Sequence, residues 1–209
     1  MPPRLYALLI CAAACMLLVV GAALRPVFDS PAPPPTMLSF GEIGFAQDMA
    51  VHHAQARSIA ASLSPKASSE VKSLAQQIEA SQSIEIGILH GWLMLLDQPL
   101  ASDSPMQWMS HADSHSHTVE ENSPMPGLAS WDEVNALSTL TGDDAEIRFL
   151  QLMIRHHRGG IEMATAGAAM ATSDAVARAA RSMADEQTKD LGYMTLMLEQ
   201  RSAAALPYP

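Results

Sequence analysis

The stretch FAQDMAVHHAQARSIA, residues 45–60, returns as FLQLMIRHHRGGIEMA at residues 149–164. Phe45, Met49, His52, His53, Ile59 and Ala60 fall opposite Phe149, Met153, His156, His157, Met163 and Ala164 at a constant offset. With one further residue of shift, Val71, Ala75, Ile78, Gln82, Glu85, Ile86, Gly87 and Leu93 fall opposite Val176, Ala180, Met183, Gln187, Asp190, Leu191, Gly192 and Leu198. Within each stretch the apolar residues recur three, four and seven apart, which is the period of one helix face. A helix pair of this kind leaves its apolar stripe uncovered, so two copies are expected to pack together as a four-helix bundle.

Outward from these stretches, helices are predicted at about 45–63, 68–96, 144–171 and 173–201, with a short one at about 131–140. Pro65 closes the first and Pro99 follows the second. The expected domain covers 40–201, with halves 40–98 and 142–201. Residues 99–130 are polar, carry Pro105, Pro124, Pro126 and Gly127, and are expected to form a long connection.

Before the domain, Pro26 to Pro35 reads as a proline-rich tether within 25–39. Ahead of it, Leu5 to Leu24 is an uncharged run long enough to cross a bilayer as a helix. Gly21-Ala22-Ala23 also resembles the end of a secretory signal, so residues 1–24 are expected to be a signal peptide or a retained anchor. Either places the remainder outside the cytoplasm, secreted or membrane-anchored. A lipoprotein reading through Cys15 fits less well, because the apolar run continues past that residue.

Only Cys11 and Cys15 are cysteines, so beyond the N-terminal segment there is no disulfide, thiolate nucleophile or Cys-based zinc site. The formal net charge of -10 argues against nucleic acid, whose phosphates need clustered Lys and Arg. Soft-metal chemistry in the exported part therefore has to use Met and His.

His52 and His156 lie in the apolar stripes of their helices, and His53 and His157 lie about 100° round from them. Met49 and Met153 each sit three and four residues before their own histidine pair. On the second helix of each pair, Glu85 with Gln82, and Asp190 with Gln187, fall in the inner stripe. A buried carboxylate needs a partner, and the inward histidine of the facing helix is the candidate. A second cluster lies in the connection, where Met106, Met109, His111, His115, His117 and Met125 accompany Asp113, Glu120 and Glu121. Methionine as gap filler has little to fill in a polar loop. Imidazole suits Cu(II), Zn and Ni while thioether sulfur suits Cu(I), so this mixture points to copper in either state.

The two quoted stretches, together with IEASQSIEIGILHGWL at 78–93 and MPGL at 125–128, resemble the repeated signature of the domain of unknown function 305 family. The resemblance spans about residues 40–200. It implies a ferritin-like four-helix bundle, exported or membrane-tethered, with copper binding or tolerance among its members. It also implies His52, His53, His156 and His157 as candidate ligands, with Met49 and Met153 beside them and Gln82 and Glu85 as their partners. This sequence has Asp190 where the family has Glu, and Ala54-Gln55-Ala56 where the family has Gln-Gly-Ala.

The leading expectation is a copper-binding protein of the cell envelope that sequesters Cu ions or passes them to a protein partner. A structural or interaction module, with buried His–carboxylate pairs stapling the helices, is the alternative. An enzyme is not expected. A ferritin-like di-iron site needs Glu-x-x-His motifs, and no Glu here has a His three residues later. No nucleophile with a positioned base is evident either.

Overall fold

The structure is a computed structural model that describes Tyr6, Ile10 and residues 12–21, 38–110 and 125–208. The chain divides into two compact units, Met1–Thr36 and Met37–Pro209. In the first, residues 12–21 form helix α1. No helix among the described residues is long and apolar enough to cross a membrane. The other residues of the expected span, including 7–9 and 22–24, lie outside the described ones.

The second unit contains α2 (Phe40–Ala61), α3 (Ser69–Leu95), α4 (Gln107–Ser110), α5 (Trp131–Thr139), α6 (Gly142–Met170) and α7 (Asp174–Gln200). The described residues are all-α. Helix α2 starts five residues before the expected position, because Ser39 and Glu42 form a capping box. Ser130 and Glu133 do the same for α5, and the Ser68 side chain caps α3. Between α5 and α6 only two residues intervene, and Gly142 supports this tight turn with a φ of 62°.

Helix α2 packs on α3, α6 packs on α7, and α2 meets α6. Their buried apolar residues fall into two clusters. One joins Ile59, Val71, Ile78, Phe149, Met153 and Met194, and the other joins Phe45, Met49, Leu89, Met163, Val176 and Met183. Each cluster thus takes one end of every long helix, so packed neighbours run antiparallel. Between the ends lies a layer of buried polar residues: His52, His53, Gln82, Glu85, His156, His157, Gln187 and Asp190.

Two carboxylates tie the halves together. Glu42 of α2 accepts from the backbone N–H of Ser173 (2.7 Å), the N-cap of α7. At the matching place in the repeat, Glu146 of α6 accepts from the N–H of Ser68 (2.5 Å), the N-cap of α3. Each half therefore supplies the acceptor for a helix start in the other, where unpaired N–H groups favour an anion. Burial alone would raise the Glu42 carboxyl. Hydrogen bonds from Ser39, Ser173 and Thr172 outweigh that and hold it below its ordinary value.

The connection is less open than its composition suggests. Met106 and Trp108 are buried against Phe45 and Met49, and Met125 joins the same cluster. Methionine as packing, which the polar composition argued against, therefore does apply at Met106 and Met125. Asp48 anchors this segment, accepting from the Met106 N–H (2.6 Å) and Trp108 Nε1 (2.9 Å).

Candidate metal centre

Helix α2 is flanked by α6 on one side and α3 on another, and its adjacent histidines divide between them. His52 faces α6, where its ring lies 3.9 Å, centroid to centroid, from that of His156. His53 faces α3, with Nε2 2.8 Å from Glu85 Oε2. On α6, His157 Nε2 is 3.6 Å from Asp190 Oδ2 of α7. The order across the layer is Glu85, His53, His52, His156, His157, Asp190. The carboxylates thus meet His53 and His157, whereas the stripe histidines, expected as their partners, face each other. A stripe assigns a side chain to one neighbour, but α2 and α6 each bury two faces.

All four histidines are fully buried. His52 Nε2 donates to the carbonyl of Pro126 (3.1 Å) and His156 Nε2 to the carbonyl of His52 (3.0 Å). A carbonyl only accepts, so each Nε2 carries its proton. In the neutral ring the lone pair then lies on Nδ1, and neither Nδ1 has a hydrogen-bond partner. Burial foremost, then the neighbouring His53, pushes His52 down to about 3. Burial and then His52 hold His156 well below its ordinary value. Both rings are neutral at pH 7, the form in which imidazole binds a metal.

His53 and His157 have no hydrogen bond at either ring nitrogen, since their carboxylate contacts are close but poorly aligned or too long. Gln82 Oε1 and both polar atoms of Gln187 are also without partners. Orphaned buried polar atoms cost about 1–3 kcal/mol each, so this layer is a concentrated source of unmet donor capacity. Met49 and Met153, fully buried, accompany the histidines on their own helices. Among the described residues, no three His, Cys, Asp or Glu side chains converge as a preformed cage.

On the α2–α6 side the layer is closed by residues 125–129. Gln55 grips Ala129 through both backbone groups, at 2.8 and 2.7 Å. A Cβ on Gly159 would lie 1.9 Å from the Pro126 carbonyl oxygen, so this close approach requires glycine. Gly160 likewise makes room for the Gln187 amide. The first half has Gln55 and Ala56 at these places, so the repeat is not symmetric here.

Of the other candidate residues, Met106 and Met125 are buried and Met109 is partly buried in the apolar cluster holding Met49. His111, His115 and His117 lie outside the described residues. Asp48 carries no signal in the sequence because it has no repeat partner, with Leu152 at the equivalent place. Glu42 and Glu146 do carry one, since they stand at the offset that relates the two stretches.

The sequence profile described as Domain of unknown function (DUF305) matches residues 42–198. The chain belongs to the DUF305 family. A DUF305 protein from Streptomyces coelicolor has a similar structure, with a TM-score of 0.71 and 36% identity, covering 80% of this chain and 96% of that one. A DUF305 fragment from Deinococcus radiodurans gives 0.64 and 33%, covering 80% and 99%. CopM in the Cu(II)-bound form gives 0.59 at 20% identity, covering 76% and 96%, a likeness of fold. No curated protein matches this DUF305 chain.

Proposed function

We propose that this DUF305 protein is an exported copper-binding protein, built as a ferritin-like four-helix bundle, that sequesters Cu ions or hands them on in the cell envelope. The observation that carries this reading is the pair of buried, neutral imidazoles, His52 and His156, each with an unpartnered Nδ1. A purely structural histidine pair gains nothing from leaving those lone pairs unmet. The fit is chemical: imidazole nitrogen and thioether sulfur together suit copper. His52 and His156 would hold the ion, with Met49, Met153, His53 and His157 supplying further donors and Glu85 and Asp190 balancing its charge.

The description of CopM as Cu(II)-bound supports copper as cargo within this fold. The description of the Streptomyces coelicolor relative points to secretion, in agreement with the apolar run from Leu5 to Leu24. We read the role as binding rather than catalysis, with a second candidate site in the connection at Met109, His111, His115 and His117. An ion handed on needs a receiving protein, and the N-terminal segment would place the exchange at the membrane.

A structural reading has one observation in its favour. His53–Glu85 and His157–Asp190 join α2 to α3 and α6 to α7 with no ion required. Anaerobic titration of the full chain with Cu(I), and separately with Cu(II) and Zn(II), against a competing chelator separates the two. The variants are His52→Ala/His156→Ala and a deletion of residues 111–117, which spares the buried Met106 and Trp108. Copper-selective binding abolished in the double variant supports the core site. Loss only in the deletion moves the site to the connection, and no competition from any metal leaves the structural reading standing.

A further inference from the structure

The histidine layer is fully buried, but a surface groove on one side reaches Glu85, the carboxylate in contact with His53. On the α2–α6 side, Pro126 and Gly127 press onto the backbone of α6 so closely that a single Cβ at Gly159 does not fit. On the α3–α7 side the helices leave a groove of about 300 Å3. Its lining includes Ser81, Glu85 and Ile88 from α3, and Ala179, Met183 and Glu186 from α7.

Three features of this groove suit a soft cation. Glu186 is half-buried and lines the groove together with Glu85, and burial, then the charges of Glu85 and Asp190, push its carboxyl up. Met183, only 1% exposed, lines the groove and also belongs to the buried cluster of Met49 and Met163. Behind the carboxylates stand fully buried ring nitrogens without hydrogen bonds: His53 Nε2, 2.8 Å from Glu85, and His157 Nε2, 3.6 Å from Asp190. Carboxylate at the rim attracts a cation of either oxidation state, and the thioether and imidazole beyond it supply the donors that copper prefers.

We propose that the α3–α7 groove is the port through which a copper ion enters and leaves the histidine layer, with Glu186 capturing it at the rim. The proposal rests on the copper-binding reading. Glu186 is not a ligand of the final site. It raises the local concentration of the cation and passes it to Glu85, which lines the groove and touches His53. Negative charge focused in a cleft accelerates arrival of a cation, and the effect weakens with salt.

The test is the rate at which the full chain takes Cu(I) from a weak chelator, followed anaerobically by stopped flow alongside the equilibrium affinity. Glu186→Gln is expected to load about tenfold more slowly at low ionic strength, with affinity and stoichiometry within about twofold of the wild type. Ala179→Trp, which fills the groove, slows both loading and release. Asp185→Asn removes the same charge from an exposed neighbouring position and leaves the rate unchanged. Wild-type loading rates in both groove variants overturn the port, as does equal slowing in Asp185→Asn, which would make the effect one of overall charge. Should Ala179→Trp lose its helical circular dichroism, Glu186→Gln against Asp185→Asn decides alone. A wild type that takes up no copper overturns the copper reading itself, and the port with it.

Discussion

His52 and His156 are the residues on which the electrostatics of this protein turn. Their rings stack in a fully buried layer and each spends its one proton on a backbone carbonyl. A second proton would charge a fully buried ring, which is why burial drives His52 down to about 3 from an ordinary 6.5. The unfolded chain accepts that proton near 6.5 and the folded chain refuses it. The stability contributed by this ring staying neutral is therefore fully present above pH 6.5 and is lost as pH drops toward 3, at about 1.4 kcal/mol per pH unit. Nitrogen-resolved NMR of the imidazoles is expected to show His52 unchanged between about pH 8 and pH 5. A midpoint near 6.5 would mean that the ring is solvated and the layer open to water.

At the scale of elements, the amphipathic pattern alone accounts for the four long helices and most of their buried residues. It starts α2 too late, because the capping signal Ser39-x-x-Glu42 lies ahead of the apolar period. It also leaves the connection as polar loop, since nothing local tells Met106 or Trp108 that Phe45 and Met49 stand opposite them. The glycines divide in a way the pattern does not show. Gly159 lies under Pro126, whereas Gly87, exposed on α3, has open space where a Cβ would stand. Gly159→Ala is expected to lower stability by about 2 kcal/mol, as overpacking against rigid backbone does. Gly87→Ala is expected to raise it by about 0.5–1 kcal/mol through helix propensity. Urea unfolding of the two variants checks both signs, and equal effects would mean that residues 125–129 do not press on α6 as described.

For the whole folded unit, the two halves are not separate domains. Both apolar clusters draw on each half, and Glu42 and Glu146 reach across to the helix starts at Ser173 and Ser68. Unfolding is therefore expected to be one transition, with helical circular dichroism and tryptophan fluorescence changing together in urea. Glu42→Ala and Glu146→Ala each leave an N-cap N–H unpaired and are expected to cost about 1–3 kcal/mol. Because each contact joins the halves, the single transition should shift as a whole. A variant in which one half melts ahead of the other would show that the halves are stable alone.

The duplicated stretches determined by themselves that this protein is helical, that its halves are paired, and that histidine, methionine and carboxylate lie together. Those conclusions depend on spacing along one chain, and helix geometry converts spacing directly into a shared face. Which histidine meets which partner was decided only by the tertiary structure. Helices α2 and α6 are each buried on two faces, and the angle between adjacent residues sends His52 and His53 to different neighbours. The closure by Pro126 and the opening between α3 and α7 are likewise tertiary. Both depend on how closely two backbones approach, a distance that small residues such as Gly159 permit but that the assembled packing alone sets.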